Sequence, residues 1–130
     1  MTIKDLFQSA DWKTEKHVPV IDAPDKAKKG ENIRLTVSVG REVPHPNKTE
    51  HHICWIDVFF HPHGEKFPYQ LARLEFTTHG GSVGGPDTSS VYTHPEGAVV
   101  FKTDKSGKIL AVSYCNIHGL WENSKDLDVA

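Results

Sequence analysis

The chain has 130 residues, with 15 Lys and Arg against 17 Asp and Glu, nine His, two Cys and one Met. That length fits one domain with its own core, spanning residues 1–130, and is too short for two ordinary domains. A net charge of −2 without a basic cluster excludes an electrostatic hold on nucleic acid or on an anionic membrane. No apolar run approaches the ~20 residues that a membrane-spanning helix needs.

Met1 to Asp11 lacks the apolar stretch and cleavage site of a secretory signal, so the expectation is a cytoplasmic protein. In that compartment Cys54 and Cys115 are read as a thiol or a metal thiolate rather than as a disulfide. A helical turn is expected over Ile3 to Ser9. Beyond it β-branched residues dominate, with 19 Val and Ile against 8 Leu and Met, which favours strands. Ile33, Leu35, Val37 and Val39 alternate with Asn32, Arg34, Thr36 and Ser38, the period of a strand with one buried face. His52 to Phe60 is nearly continuous apolar sequence, as a central strand covered on both faces requires, and Pro62-His63-Gly64-Glu65 turns it towards a hairpin partner over Tyr69 to Phe76. Four glycines between His79 and Pro86 mark a loop. Ala98 to Thr103 and Lys108 to Cys115 flank the polar Asp104-Lys105-Ser106-Gly107 and read as a second hairpin. A second helical turn is expected after His118. Several short strands joined by Gly- and Pro-rich connections predict a β-sandwich or barrel.

Chemistry concentrates in three places. Cys115-Asn116-Ile117-His118 sets a thiolate at a strand end and an imidazole three residues later, where a turn can bring both to one metal; soft sulfur with nitrogen selects iron, copper or zinc over magnesium or calcium. Taken alone, the spacing equally fits a buried cysteine beside a surface histidine. In Val43-Pro44-His45-Pro46-Asn47-Lys48-Thr49-Glu50-His51-His52, two prolines fix the backbone on either side of His45 and preset its direction. A third loop histidine, His17, stands in Glu15-Lys16-His17-Val18-Pro19. Loop histidines are usually solvated, but their number beside a Cys-x-x-His points to a common metal.

Together these three segments resemble the superoxide reductase family of the one-iron, neelaredoxin type. Asp11-Trp12-Lys13 and the stretch from His79 through Gly85-Pro86 to Val91-Tyr92 are also similar to that family, and the resemblance runs from about Asp11 to Asn123. It implies an immunoglobulin-like β-sandwich of about seven strands, with short helical turns at the ends, carrying one mononuclear non-haem iron. Its ligands would be His17, His45, His51 and His118 in a plane and Cys115 on the axis, with a sixth position open to superoxide. By the same resemblance Glu15 can occupy that position after oxidation, and Lys16 attracts the anion. The module with four cysteines found in two-iron members has no counterpart here, so the electron is expected from a separate donor such as rubredoxin; the family likeness also implies a homotetramer.

Elementary electrostatics agrees with these roles. Four neutral imidazoles and one thiolate leave ferrous iron with net positive charge, which draws a small anion to the open side. A thiolate opposite that side pushes electron density onto the metal. The rival reading is a cupredoxin-like copper electron-transfer protein, but Met1 is the only methionine, and that scheme leaves His17, one further histidine and the Glu15-Lys16 pair without a purpose. A structural zinc site favours several cysteines and closed coordination. His52 is expected to point away from His51 and to pack or support it, and Cys54 to be a small buried hydrophobe; the family likeness implies that Trp12 and Trp121 cover the metal, while ordinary core or subunit-contact packing fits them equally.

Overall fold

A computed structural model describes all residues, 1–130. Its strands are β1 (Val20–Asp22), β2 (Lys26–Ala27), β3 (Ile33–Ser38), β4 (Ile53–Pro62), β5 (Tyr69–Glu75), β6 (Glu96–Phe101), β7 (Gly107–Cys115) and β8 (Gly119–Val129). They form a three-stranded sheet in the order β1-β3-β6 and a five-stranded sheet in the order β2-β8-β7-β4-β5. All pairings are antiparallel except the short β2–β8 contact. Of the sandwich or barrel expected from the strand pattern, the chain adopts the all-β sandwich, with eight strands rather than about seven.

Period-two alternation builds the core. Ile33, Leu35 and Val37 of β3 face Ile56, Val58 and Phe60 of β4 and Ile109 and Ala111 of β7, all buried in one cluster. On β7 the inward positions continue through Ser113 to Cys115, neither of which is exposed to solvent. The thiol thus lies at the end of a core-facing row, where the sheet gives out and the chain turns. At the other end of the sequence, the Gln8 peptide donates to Leu120 O at 3.0 Å and accepts from Glu122 N at 2.8 Å. These two bonds lay the N-terminal arm along β8 and carry Glu15 to His17 towards the same end of the sandwich.

Several expectations are corrected. Ala98–Thr103 and Lys108–Cys115 do not form a hairpin: β6 pairs with β3 in one sheet and β7 with β4 and β8 in the other, so Asp104 to Ser106 crosses between sheets. No helical turn follows His118; after the turn over Asn116 to His118 the chain enters β8, the longest strand. Gly119 makes that reversal possible, with φ of 82°, where L side chains are strained. The N-terminal turn is a single 3₁₀ turn, Ile3–Leu6. Cys54 is half-buried rather than buried, because the β4 register slips between Ile53 and Trp55 opposite Cys115 and Tyr114 and re-aims the intervening side chain.

Candidate metal centre

Four imidazoles close a ring of contacts at the end of the sandwich. Centroid separations run 4.9 Å from His17 to His45, 4.8 Å from His45 to His51, 5.0 Å from His51 to His118 and 4.8 Å from His118 back to His17. No neighbouring pair is parallel, with interplanar angles of 54° to 79°. The ring edges therefore converge on a common space instead of stacking. Donor atoms of His17, His45, His51 and Cys115 all lie within 4.8 Å of one another. His118 falls outside that mutual set, at the exposed rim, yet its Nδ1 is 3.2 Å from His17 Nε2 and 3.8 Å from Cys115 Sγ. Two nitrogens bound at right angles to one ion, with bonds of about 2.1 Å, stand about 3.0 Å apart, and opposed ones about 4.2 Å apart. The observed separations suit a single ion.

Two of the rings, His17 and His45, are aimed by a bond on the far side. His17 donates Nδ1–H to Glu15 Oε1 at 2.6 Å, and its peptide N–H donates to the same oxygen at 2.7 Å; its Nε2 is thereby left for the interior. His45 donates Nδ1–H to Pro46 O at 2.7 Å. The Nε2 atoms of His45 and His51 are then buried with no hydrogen-bond partner, an arrangement that costs free energy unless something fills the space between them. The His118 peptide N–H points at Cys115 Sγ at 3.3 Å. A soft sulfur with nitrogens alone, and no carboxylate among the convergent atoms, is a donor set for a transition metal.

The electrostatics keep the rings available. Burial is the largest cause that lowers His17, His51 and His45, the last to about 4, and the Lys16 charge adds to it in all three. At neutral pH these three imidazoles are held in the neutral form that offers a lone pair. Burial works against ionisation of Glu15, but the His17 peptide and ring outweigh it and hold the carboxyl below its usual range. Glu15 is thus an anion placed behind His17, on the ring's Nδ1 side.

Supporting residues complete the arrangement. Trp121 stacks on His17 at 4.9 Å and 13° and donates its indole N–H to His118 O at 3.2 Å, so the expected cover is present on that side. Trp12 instead lies beside Lys13 and Arg41. Buried Ser113 donates to His17 O at 2.8 Å. Gly40, with φ of 88°, admits the ligand loop closely: a Cβ there would stand 2.8 Å from His45 N. His52 turns away from the ring of four, stacks on His79 at 3.6 Å and donates to Lys48 O. His79 Nδ1 lies 3.1 Å from Asn47 Oδ1, a long-range contact that no local spacing signals. His63 and His94 are exposed, whereas His61 is half-buried and donates to Glu65 O.

Such a sandwich, ending in a pocket of imidazoles and one thiolate, defines a mononuclear metal protein of the non-haem kind. The chain belongs to the desulfoferrodoxin family, whose model matches residues 9–124. It is 56% identical over 126 residues to the superoxide reductase of Pyrococcus furiosus, covering 97% of this chain and 99% of that one. It is 49% identical over 125 residues to the neelaredoxin of Megalodesulfovibrio gigas, covering 96% of each. Among solved structures it superposes on the superoxide reductase (neelaredoxin) of Archaeoglobus fulgidus in the reduced form with a TM-score of 0.88, at 57% identity, covering 95% of this chain and 98% of that one.

Proposed function

We propose that the chain is a superoxide reductase: superoxide, one electron and two protons give hydrogen peroxide. The observation that carries this reading is the closed ring of His17, His45, His51 and His118 over a buried Cys115, with two interior nitrogens left without partners. Those five side chains would hold one iron, which supplies the transferred electron when bound. The chain's own residues do the rest. Cys115, fully buried, keeps its sulfur away from water and from oxidants. Lys16, whose charge bears on three of the rings, raises the local concentration of a small anion and stands ready to order the water that delivers protons.

Glu15 is given two exclusive positions in this scheme. Bonded to His17 it fixes the ring's tautomer; were its carboxylate to turn to the metal instead, it would first have to release the His17 ring and peptide. The electron donor is a separate small protein of the rubredoxin kind. A cytoplasmic location suits a chain whose two cysteines form no disulfide. A homotetramer follows from the family likeness, with exposed Phe67 and Tyr69 as apolar surface available for subunit contact.

The test is stoichiometric. Iron-loaded protein given superoxide and an excess of reductant is expected to form peroxide without returning oxygen, and the oxidised protein is expected to show a sulfur-to-iron absorption band that Cys115→Ser lacks. Oxygen released from half of the superoxide, or a band that survives in Cys115→Ser, overturns the assignment.

A further inference from the structure

Asn116 lies inside the Cys115 to His118 turn, between the thiol and the last imidazole, and takes no part in the ring of donors. Its side chain is nonetheless fully engaged. Asn116 Nδ2 donates to Glu50 O at 2.9 Å, and Asn116 Oδ1 accepts the His52 peptide N–H at 2.9 Å. The Asn116 peptide N–H also donates to His52 O at 3.2 Å. Glu50 and His52 are the two neighbours of His51 in the chain, so one carboxamide spans the peptide groups on either side of that residue. A carboxamide suits the task because it offers a donor and an acceptor about 2 Å apart in one plane. A carboxylate has no donor for Glu50 O, and a hydroxyl cannot reach both peptides.

The remaining bonds of this loop stay within it or run to the 79–93 stretch, where Asp87 Oδ1 accepts the Thr49 peptide N–H at 2.8 Å and Thr93 O accepts from Asn47 Nδ2 at 2.7 Å. Lys48 and His51 exchange backbone hydrogen bonds at 2.9 and 3.1 Å, and His52 donates its ring N–H to Lys48 O. These shape the turn but do not fix it relative to Cys115. His51 itself has no bond through Nε2, and no far-side partner aims its ring as Glu15 aims His17 and Pro46 aims His45. The His51 ring is therefore placed by its backbone, and beyond the β4–β7 ladder that begins at Ile53 opposite Cys115, the bonds that tie that backbone to the Cys115 turn are those of Asn116.

Building on the iron reading above, we infer that Asn116 is a positioning residue that sets His51 against Cys115, so that the two ligand-bearing segments move as one body. Outer-shell partners of metal ligands commonly contribute tenfold to a hundredfold in metal affinity. Asn116 is exposed, and bonds to solvent-reachable peptides add little to global stability. The two consequences separate a positioning role from a merely structural one.

The experiment follows release of iron(II) from the loaded protein into an excess of a chromogenic chelator, beside thermal unfolding of the metal-free protein. Asn116→Ala and Asn116→Asp are each expected to release iron at least about tenfold faster than the parent, with the metal-free midpoint moved by less than about 4 °C. In a His51→Ala background the Asn116→Ala change is expected to have no further effect, whereas in a His45→Ala background its full effect persists. Unchanged release in Asn116→Ala, or an equal effect with and without His51, overturns the inference while leaving the iron reading intact. If His51→Ala and His45→Ala both release iron like the parent, the iron reading fails and this inference with it.

Discussion

Trp121 gives the sharpest test of how the sandwich supports its metal pocket. The indole is 9% exposed, lies parallel to the His17 ring and donates to the His118 carbonyl, so it touches the first and the last candidate ligands at once. Truncation to Ala removes a buried aromatic, a change that costs about 3–5 kcal/mol. For a domain of this length each kcal/mol lowers the midpoint by about 4 °C, so the metal-free Trp121→Ala protein is expected to melt about 12–20 °C below the parent. Trp121→Phe keeps a ring against His17 but loses the indole N–H; forfeiting that hydrogen bond and some buried area costs about 1–2 kcal/mol, or about 4–8 °C. Circular dichroism melts of the two metal-free variants separate packing from hydrogen bonding, and chelator-driven iron release from the loaded proteins then shows whether the His118 carbonyl needs its anchor. A Trp121→Ala midpoint within about 4 °C of the parent would refute the reasoning, because the stack would then carry no weight.

Three further outcomes follow from the site. Gly40→Ala puts a Cβ 2.8 Å from His45 N at a φ of 88°; the backbone strain alone costs about 1–2 kcal/mol, so both the metal-free melting midpoint and the retention of iron should fall, and a variant that matches the parent in both would remove Gly40 from the account. Lys16→Ala should slow capture of superoxide, measured by pulse radiolysis, and flatten the salt dependence of the rate while iron stays bound; an unchanged rate with unchanged salt dependence removes Lys16 from anion capture. For the metal-free protein, burial lowers His45 to about 4 from 6.5 and lowers His17 and His51 as well. The unfolded chain therefore binds protons first as pH falls through 6.5, and stability should decline between pH 6.5 and 4, with His45 contributing at most about 3 kcal/mol; urea titrations at pH 7 and pH 5 with the same midpoint would contradict this.

The parts of the fold written in short-range pattern were legible. Alternation placed β3, continuous apolar sequence placed β4, and a turn signal joined β4 to β5. What escaped was set by partners distant in sequence. Glu122 to Asp126 of β8 is polar and has poor strand propensity, yet it forms a ladder with β7 and so becomes strand. Asp104 to Ser106 has the composition of a hairpin turn, but whether a short polar connection doubles back within one sheet or crosses to another depends on where each flanking strand finds its neighbours. At the metal centre the histidines and Cys115 could be nominated from residue type and spacing. That Glu15 would bond back to His17 and that Gly40 would make room for His45 is settled by local turns that residue type alone does not reveal, and that Trp121 would lie flat on the His17 ring depends on backbone paths that cross only in three dimensions.

The ring of four begins with a residue from the N-terminal arm and ends with one from the turn before the last strand, and His17 and His118 are 101 positions apart. Contacts of such separation close late, after the costly loop entropy of the intervening chain has been met. During synthesis the arm has no strand to lie on until β8 has formed, so an incomplete chain has no five-donor cage to offer. On the iron reading, metal capture would thereby come after folding in time and act as a latch on the finished topology: removing the metal would take away one tie between His17 and His118, while the Gln8 bonds to Leu120 and Glu122 still hold the arm on β8.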